Sequence, residues 1–179
     1  MAVIILSFKN LPKLEGSPAQ IEWATGIRSG FIRKAESFCS RFDYPESIEI
    51  VKKIFMNNTS CRWWIDNRYT AVEDLVLEEV SKDEPIIFDL PDLIGSQKQI
   101  AWATEIRSKY ARCASYKLRT DAENIEKLAE KGKISKFLTK RYENLQEMSA
   151  KLFSIADCSV WIENRDRSLC ILLEIMKNS

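Results

Sequence analysis

The 179-residue chain contains no histidine, and this absence removes several classes of function at once. Ser-His-Asp and Cys-His catalysis, histidine general bases, and zinc or iron sites with histidine ligands all need the missing imidazole. Only five glycines are present, and none belongs to a Walker loop or a Gly-x-Gly-x-x-Gly motif. Carboxylate, lysine and tyrosine chemistry has no motif to support it. We therefore expect a protein without catalytic activity, cofactor or metal.

Long apolar runs are also missing, since none approaches the roughly 18 residues of a membrane span. The first nine residues lack the basic leader and long apolar stretch of a signal peptide. We therefore expect a cytoplasmic protein without a membrane partner. The five cysteines are an odd number without a Cys-x-x-Cys pair, which predicts free thiols, with Cys61 and Cys158 as buried packing residues.

What the sequence does contain is an internal repeat in two blocks. Residues 11–29 return as residues 90–108, an offset of 79, with 13 of 19 positions identical. Residues 61–68 return as residues 158–165 at an offset of 97. The second copy therefore carries 18 extra residues between its two blocks. A duplication with one asymmetric insertion predicts two pseudo-symmetric repeat units.

We place these units at residues 1–83 and 84–179, in one compact body, with a helical insertion at about residues 119–141 of the second unit. Short β-branched and aromatic segments at residues 3–8 and 85–88 predict two strands that pair with each other. The expected fold class is mainly α with a small β element.

Each unit contains a Ser-x-x-Gln capping box, which predicts a helix start. In this motif the serine oxygen accepts from an amide of the first turn, and the glutamine reaches back to the serine N–H. Ser17 with Gln20 and Ser96 with Gln99 form the two boxes. Apolar residues at spacings of three and four then extend the first helix to about Phe42.

Tryptophan, arginine and carboxylate residues recur at matching positions of the two units. One interpretation has two tryptophans per unit packed between helices, with a partly buried arginine–carboxylate pair that fixes the register. The alternative has tryptophan and arginine stacking on nucleic-acid bases. The matched positions are Trp23 with Trp102, Arg28 with Arg107, Trp64 with Trp161, Asp66 with Glu163, and Arg68 with Arg165.

Trp63 breaks the repeat, because its counterpart in the second unit is Val160. Adjacent residues of a helix cannot face the same way, so a buried Trp64 leaves Trp63 partly exposed. An exposed tryptophan beside Arg62 resembles a hot spot of a protein interface. The alternative is simple packing under the neighbouring helix.

Charge is segregated along the chain, although the net charge is only +1. Residues 71–92 carry eight acids against one lysine, and residues 97–141 carry twelve Lys or Arg against five acids. Both can be solvated helix faces that attract each other. The acidic segment can also meet a basic protein, with Glu78, Glu79, Asp83 and Glu84 as interface candidates. The basic segment can bind nucleic acid through Arg107, Lys109, Arg112, Lys117, Arg119, Lys133, Lys136, Lys140 and Arg141.

The pattern Gly-Ser-x-Lys-Gln-Ile-x-Trp-Ala-x-x-Ile-Arg, followed by Trp-Ile-[Asp/Glu]-Asn-Arg, resembles a module of uncharacterised small proteins from Gram-positive bacteria, their phages and plasmids. Residues 95–107 with 161–165 match it closely, whereas residues 16–28 with 64–68 depart from it at positions 18–19. The resemblance covers both repeats and implies no catalytic residues. Small mobile-element proteins of this kind often inhibit host defence, and anti-CRISPR proteins are among them.

The expected function is therefore non-catalytic binding. In the first hypothesis the protein inhibits a nucleic-acid-targeting defence complex, and its partner is a nucleic-acid-handling effector such as a Cas nuclease. In the second hypothesis it is a nucleic-acid-binding module that uses the basic second half of the chain.

Overall fold

The computed structural model describes residues 10–41 and 45–177, and these residues form eight helices and no strand. The mainly helical class is therefore confirmed. No helix in these ranges is long and apolar enough to cross a bilayer. The helices are α1 (Pro18–Arg41), α2 (Pro45–Asn57), α3 (Cys61–Asp66), α4 (Val72–Ser81), α5 (Gln97–Glu130), α6 (Lys136–Phe153), α7 (Cys158–Glu163) and α8 (Leu169–Lys177).

The chain divides into two compact units, Met1–Glu79 and Val80–Ser179. The division falls within α4, four residues before the boundary that the repeat suggests. In the first unit α1 packs against α2 and α3, and in the second unit α5 packs against α6, α7 and α8. The expectation of one compact body stays a prediction.

Both long helices begin at the predicted capping boxes. The Ser17 N–H donates to Gln20 Oε1 at 2.9 Å, and the Gln20 N–H donates to Ser17 Oγ at 3.4 Å. Ser96 and Gln99 form the same two bonds, at 2.9 and 3.4 Å. The predicted starts of both helices are confirmed, and α1 extends to Arg41, while its expected end at Phe42 lies outside the described residues.

In each unit an isolated parallel bridge joins the residue before the glycine of the Gly-Ser pair to the start of a six-residue helix, α3 in the first unit and α7 in the second. We call α3 and α7 the short helices. In the first unit the Glu15 N–H donates to Thr59 O at 2.8 Å, and the Cys61 N–H donates to Glu15 O at 3.0 Å. In the second unit Ile94 makes the equivalent bonds with Ala156 and Cys158, at 2.8 and 3.1 Å. The bridge holds the first turn of the long helix beside that of the short one.

The bridge leaves no room for a side chain at the glycine next to it. A Cβ on Gly16 would lie 2.9 Å from both Cβ and Sγ of Cys61. A Cβ on Gly95 would lie 2.9 Å from Sγ of Cys158. Both cysteines are buried free thiols, so their predicted packing role is confirmed. The repeated Gly and Cys are therefore a contact pair.

One tryptophan of each short helix is fully buried and packs against aromatic rings of the core, Trp64 in α3 and Trp161 in α7. The rings of Phe31 and Phe55 meet Trp64 edge-on, with centroids 5.8 and 5.1 Å away. The Trp64 indole N–H donates to Asn58 O at 2.8 Å. In the second unit Trp161 stacks on Phe153 at 5.9 Å between centroids. The Trp161 indole donates to Ile155 O at 3.1 Å, so each buried N–H has an acceptor.

The predicted two-stranded sheet was wrong in its second segment. Residues 85–88 are irregular, and the segment at residues 3–8 lies outside the described residues. The Ile87 N–H donates to Ser115 Oγ at 3.2 Å, and the Phe88 ring packs on Phe153 at 4.5 Å between centroids. Side chains of α5 and α6 thus hold this segment where we expected a neighbouring strand.

The insertion lengthens two helices of the second unit. The predicted insertion at about residues 119–141 is helical, but its first part continues α5, which ends at Glu130, and the rest belongs to α6 and the turn before it. Helix α5 has 34 residues against 24 in α1, and α6 has 18 against 13 in α2. The second unit therefore extends its helical hairpin at the end where α5 meets α6.

Because Gly16 packs directly on Cys61, we predict that Gly16→Ala destabilises the protein by about 1–3 kcal/mol through overpacking. Gly26→Ala is the matched control, since Gly26 lies in α1 with no atom within 4 Å of an added Cβ. This control should gain about 0.5–1 kcal/mol from helix propensity. Urea unfolding of both variants measures the two changes, and equal effects would contradict the packing role of Gly16.

Candidate functional site

Most residues that the two repeats share have a partner inside their own unit. The Arg28 guanidinium donates to Pro12 O at 2.8 Å, and the Arg107 guanidinium donates to Pro91 O at 2.6 Å. Pro12 and Pro91 belong to Leu-Pro-x-Leu loops at residues 11–14 and 90–93. The two hydrogen bonds therefore connect this loop to the long helix of each unit. Burial lowers the pKa of both arginines, which nonetheless stay charged at neutral pH.

The repeated asparagine of the Trp-Ile-x-Asn-Arg block was missed as a structural residue. The Asn67 side chain donates to Trp63 O at 2.8 Å, and the Asn164 side chain donates to Val160 O at 2.7 Å. Each closes the end of its short helix by satisfying a terminal carbonyl. The position of asparagine just after a six-residue helix is the sequence signal that could have revealed this role.

The first tryptophan of each unit is exposed, unlike the second. Trp23 is 54% exposed and Trp102 is 47% exposed. Each carries an arginine from the end of the second block against its ring. The Arg68 guanidinium carbon lies 5.9 Å from the Trp23 ring centroid, and that of Arg165 lies 5.4 Å from Trp102. We call these two arrangements the Trp–Arg pairs. Arg68 also lies 4.5 Å from the ring centroid of Tyr69, whose counterpart in the second unit is Asp166.

The fold places these pairs through the bridge beside each glycine. Trp23 lies in the second turn of α1, and Arg68 follows the end of α3, which the bridge holds beside α1. Arg68 also donates to Ile65 O at 2.8 Å, and Arg165 donates to Ile162 O at 2.9 Å. One hydrogen bond therefore anchors each guanidinium while the ring beneath it stays open to solvent.

The stability gained from a Trp–Arg pair is small. A cation–π contact at an exposed site contributes about 0.5–1 kcal/mol. A buried tryptophan such as Trp64 contributes several times more. Stability therefore explains only a small part of why an exposed tryptophan with an equivalent arginine partner recurs in both units.

The packing interpretation of the repeated residues is correct for some positions and wrong for others. Trp64 and Trp161 are buried as expected, whereas Trp23 and Trp102 are exposed. The expected arginine–carboxylate pair within the second block is not formed as proposed. Asp66 faces Arg62 at 3.5 Å, Arg165 faces Asp166 at 3.6 Å, and Glu163 is exposed. The Arg68 and Arg165 guanidinium groups donate instead to backbone carbonyls of their own short helices.

The Trp63 side chain is half-buried against the core of the first unit. Its ring centroid lies 4.9 Å from that of Trp64 in an edge-on contact. Its remaining surface lines a shallow depression with Asn58, Glu78 and Glu79. Trp63 thus packs on one side and is accessible on the other, and its role as an interface hot spot stays a prediction.

The acidic candidates are partly engaged within their own units. Glu79 pairs with Lys53 at 2.8 Å in the first unit, and Glu78 is half-buried. Glu84 accepts two hydrogen bonds from Arg119, at 2.7 and 3.0 Å, in a bidentate pair. These bonds lower the pKa of Glu84. Asp83 is exposed. Both carboxylate oxygens of Glu84 are therefore already hydrogen-bonded to Arg119.

The basic candidates fall into three groups. Arg107 is buried, so its guanidinium is not accessible to the phosphates of a bound nucleic acid. Arg119 is held by Glu84 and Glu123, and Arg141 is held by Asp121. The others keep accessible surface: Lys109, Arg112 and Lys117 are half-buried, and Lys133, Lys136 and Lys140 are exposed.

The residues described by the structure contain no group of three or more Cys, Asp or Glu side chains arranged to hold a metal ion. Comparisons with protein-family models, with curated proteins and with solved structures gave no match for this chain. The assignment of function therefore depends on the geometry of its own residues.

If the exposed tryptophans serve binding, their removal should cost little stability. We predict that Trp23→Ala and Trp102→Ala each lower the free energy of unfolding by about 1 kcal/mol. Trp64→Ala should lower it by about 3–5 kcal/mol, because it empties the core. Urea unfolding followed by circular dichroism measures all three. Losses at Trp23 as large as at Trp64 would show that the exposed ring is structural.

The Glu84–Arg119 pair predicts a pH-dependent contribution to stability. The folded-state pKa of Glu84 lies below its unfolded value of about 4.3, so the contribution is present above that pH. It is lost as the pH falls through the lowered pKa. Glu84→Gln should therefore cost about 1–2 kcal/mol at pH 7 and almost nothing at strongly acidic pH.

Glu123→Gln is the control for this measurement, since Glu123 binds the same arginine at 2.6 Å but is more exposed. It should cost less than about 0.5 kcal/mol. Urea unfolding of the three proteins at neutral and acidic pH gives the comparison. A difference between wild type and Glu84→Gln that persists unchanged in acid would contradict the assigned role of this pair.

Proposed function

We propose that the protein is a non-catalytic binding protein whose two Trp–Arg pairs are its contact surfaces. The observation that supports this proposal is that each unit has an exposed tryptophan in contact with an arginine from the equivalent position of the repeat. Tryptophan and arginine are the residues most enriched among hot spots of protein interfaces. An arginine that is already anchored loses less conformational entropy when a partner binds.

A protein partner is favoured over nucleic acid by the state of the basic residues. Affinity for nucleic acid comes mainly from cations that neutralise phosphates. Of the nine candidate cations, Arg107 is buried, and Arg119 and Arg141 are bound to carboxylates. Three more on α5, at positions 109, 112 and 117, are half-buried, and the three exposed lysines lie on or next to α6. We therefore place nucleic acid second, as a ligand of those lysines.

We further propose that the two units arose by duplication and keep equivalent contact surfaces. In support, both contain the same bridge, the same glycine–cysteine contact and the same arginine-to-proline hydrogen bond. Two sites on one chain can engage two positions of a partner, and the second contact then forms at a high effective concentration. Such bivalence suits stoichiometric inhibition.

The proposed biological role is inhibition, inside the cell, of a nucleic-acid-targeting defence complex, of the anti-CRISPR type. It is supported by the resemblance of the repeated motif to proteins of mobile elements and by five cysteines that form no disulfide. Inhibition would act by occupying a surface of the effector.

The test is target cleavage by a panel of purified Cas nucleases from Gram-positive bacteria, measured with and without the protein in slight excess. We expect loss of cleavage with at least one nuclease, and a complex that co-elutes in size-exclusion chromatography. Trp23→Ala with Trp102→Ala should weaken the complex at least about tenfold, since each replaces a hot-spot residue.

Met56→Ala is the matched control, because Met56 is also a large exposed apolar residue but belongs to no pair. It should inhibit like the wild type. Binding of labelled single- and double-stranded DNA across a salt series runs in parallel. Absence of inhibition with all nucleases, together with DNA binding that falls steeply with salt, would replace the first proposal by the nucleic-acid alternative.

A further inference from the structure

The second unit contains an apolar cleft that none of the functions above uses. It has a volume of about 500 Å³ and lies among α5, α6 and α8. Its apolar lining comes from Phe137, Leu145, Met148 and Leu173. Phe137 is 77% exposed, which is unusual for so large an apolar side chain. No residue of a Trp–Arg pair lines this cleft, so it forms a separate surface.

The insertion in the second repeat creates much of this cleft. Asp121 belongs to the extended part of α5, and Phe137, Lys140 and Arg141 belong to the added region of α6. At the position equivalent to Lys117, the first unit has the buried Phe38. The cleft therefore belongs to the second unit, and the first unit lacks the inserted residues that form part of its lining.

The polar residues of the cleft leave it with an excess of positive charge. Asp121 is 8% exposed at its side chain and is occupied by two hydrogen bonds from Arg141. Lys117 and Lys140 have no carboxylate partner among the described residues. Two lysine charges thus remain available beside an apolar floor, which is complementary to a ligand that is both apolar and anionic.

We propose that this cleft binds an acidic amphipathic peptide segment of a partner protein. Apolar side chains of one helical face would pack on Leu145, Met148 and Leu173, and carboxylates beside them would pair with Lys117 and Lys140. A groove between helices with a methionine in its floor is the recurrent surface for such segments, because methionine adapts its shape.

A peptide is favoured over a small apolar anion by the extent of the exposed apolar surface. Ile134, three residues before Phe137, is 87% exposed, so apolar residues extend along the chain beyond those that line the cleft. A peptide is favoured over a membrane by shape, because the lining residues form a concave site instead of a protruding apolar face.

Cys170 provides a reporter at the site itself. It lines the cleft and is exposed, whereas the other four cysteines are buried, so a trifluoromethyl thiol reagent will label it selectively. The probe is a synthetic helix of about 16 residues with leucines on one face and glutamates beside them. The comparison ligands are the same peptide with lysine for glutamate, decanoate, and phosphatidylcholine vesicles that contain phosphatidylserine.

We expect the acidic peptide to shift the fluorine resonance and to bind at least about tenfold more tightly than the lysine peptide. The double variant Lys117→Gln with Lys140→Gln, and separately Phe137→Ala, should each weaken the acidic peptide by about tenfold. Lys98→Gln and Ile87→Ala are the controls, since both residues are exposed and neither lines the cleft. Both should bind like the wild type.

Three results would overturn the proposal. The first is no response to the acidic peptide, or equal affinity for the two peptides. The second is an affinity for the acidic peptide that the variants leave unchanged. The third is binding of decanoate or of the anionic vesicles in place of the peptide, which would assign the cleft to a lipid-like ligand. None depends on whether the Trp–Arg pairs bind a nuclease, so the two proposals fail separately.

Discussion

The contact between a glycine and a cysteine, Gly16 with Cys61 in the first unit, is the constraint on which the rest of each unit depends. It allows the backbone at Glu15 to bridge the start of α3, which places two helix N-termini side by side. A helix of six residues has almost no stability of its own. Helices α3 and α7 therefore exist because this bridge and a buried tryptophan hold them in place.

Once the short helix is fixed, the positions of the Trp–Arg side chains follow. The residue after its terminal asparagine is an arginine, which reaches back over an indole in the second turn of the long helix. The scaffold thus presents the same exposed pair in both units. The insertion then adds an unrelated surface to the second unit by extending α5 and α6. The second unit therefore contains one surface that both units share and one of its own.

Signals that act over a few residues were readable from the sequence, and those that depend on distant partners were not. The capping boxes at Ser17 and Ser96 and the helical period gave the helices, because their physics is local. The exposure of Trp23 could not be read, since it depends on how α3 lies against α1. Strand-like residues 85–88 stayed irregular because α5 and α6 supply their contacts. The ion pair between Glu84 and Arg119 could not be predicted either, because the net charge of a segment does not show which residues of distant segments meet.

Site-specific photo-crosslinking tests the central claim most directly, because it captures a partner whose identity is still open. A benzophenone amino acid would replace Trp23 or Trp102, and Met56 for comparison, in protein expressed in a Gram-positive host. We expect positions 23 and 102 to capture the same protein, identified by mass spectrometry, and position 56 not to capture it. Capture of nothing at positions 23 and 102, or of the same species equally at all three, would contradict it.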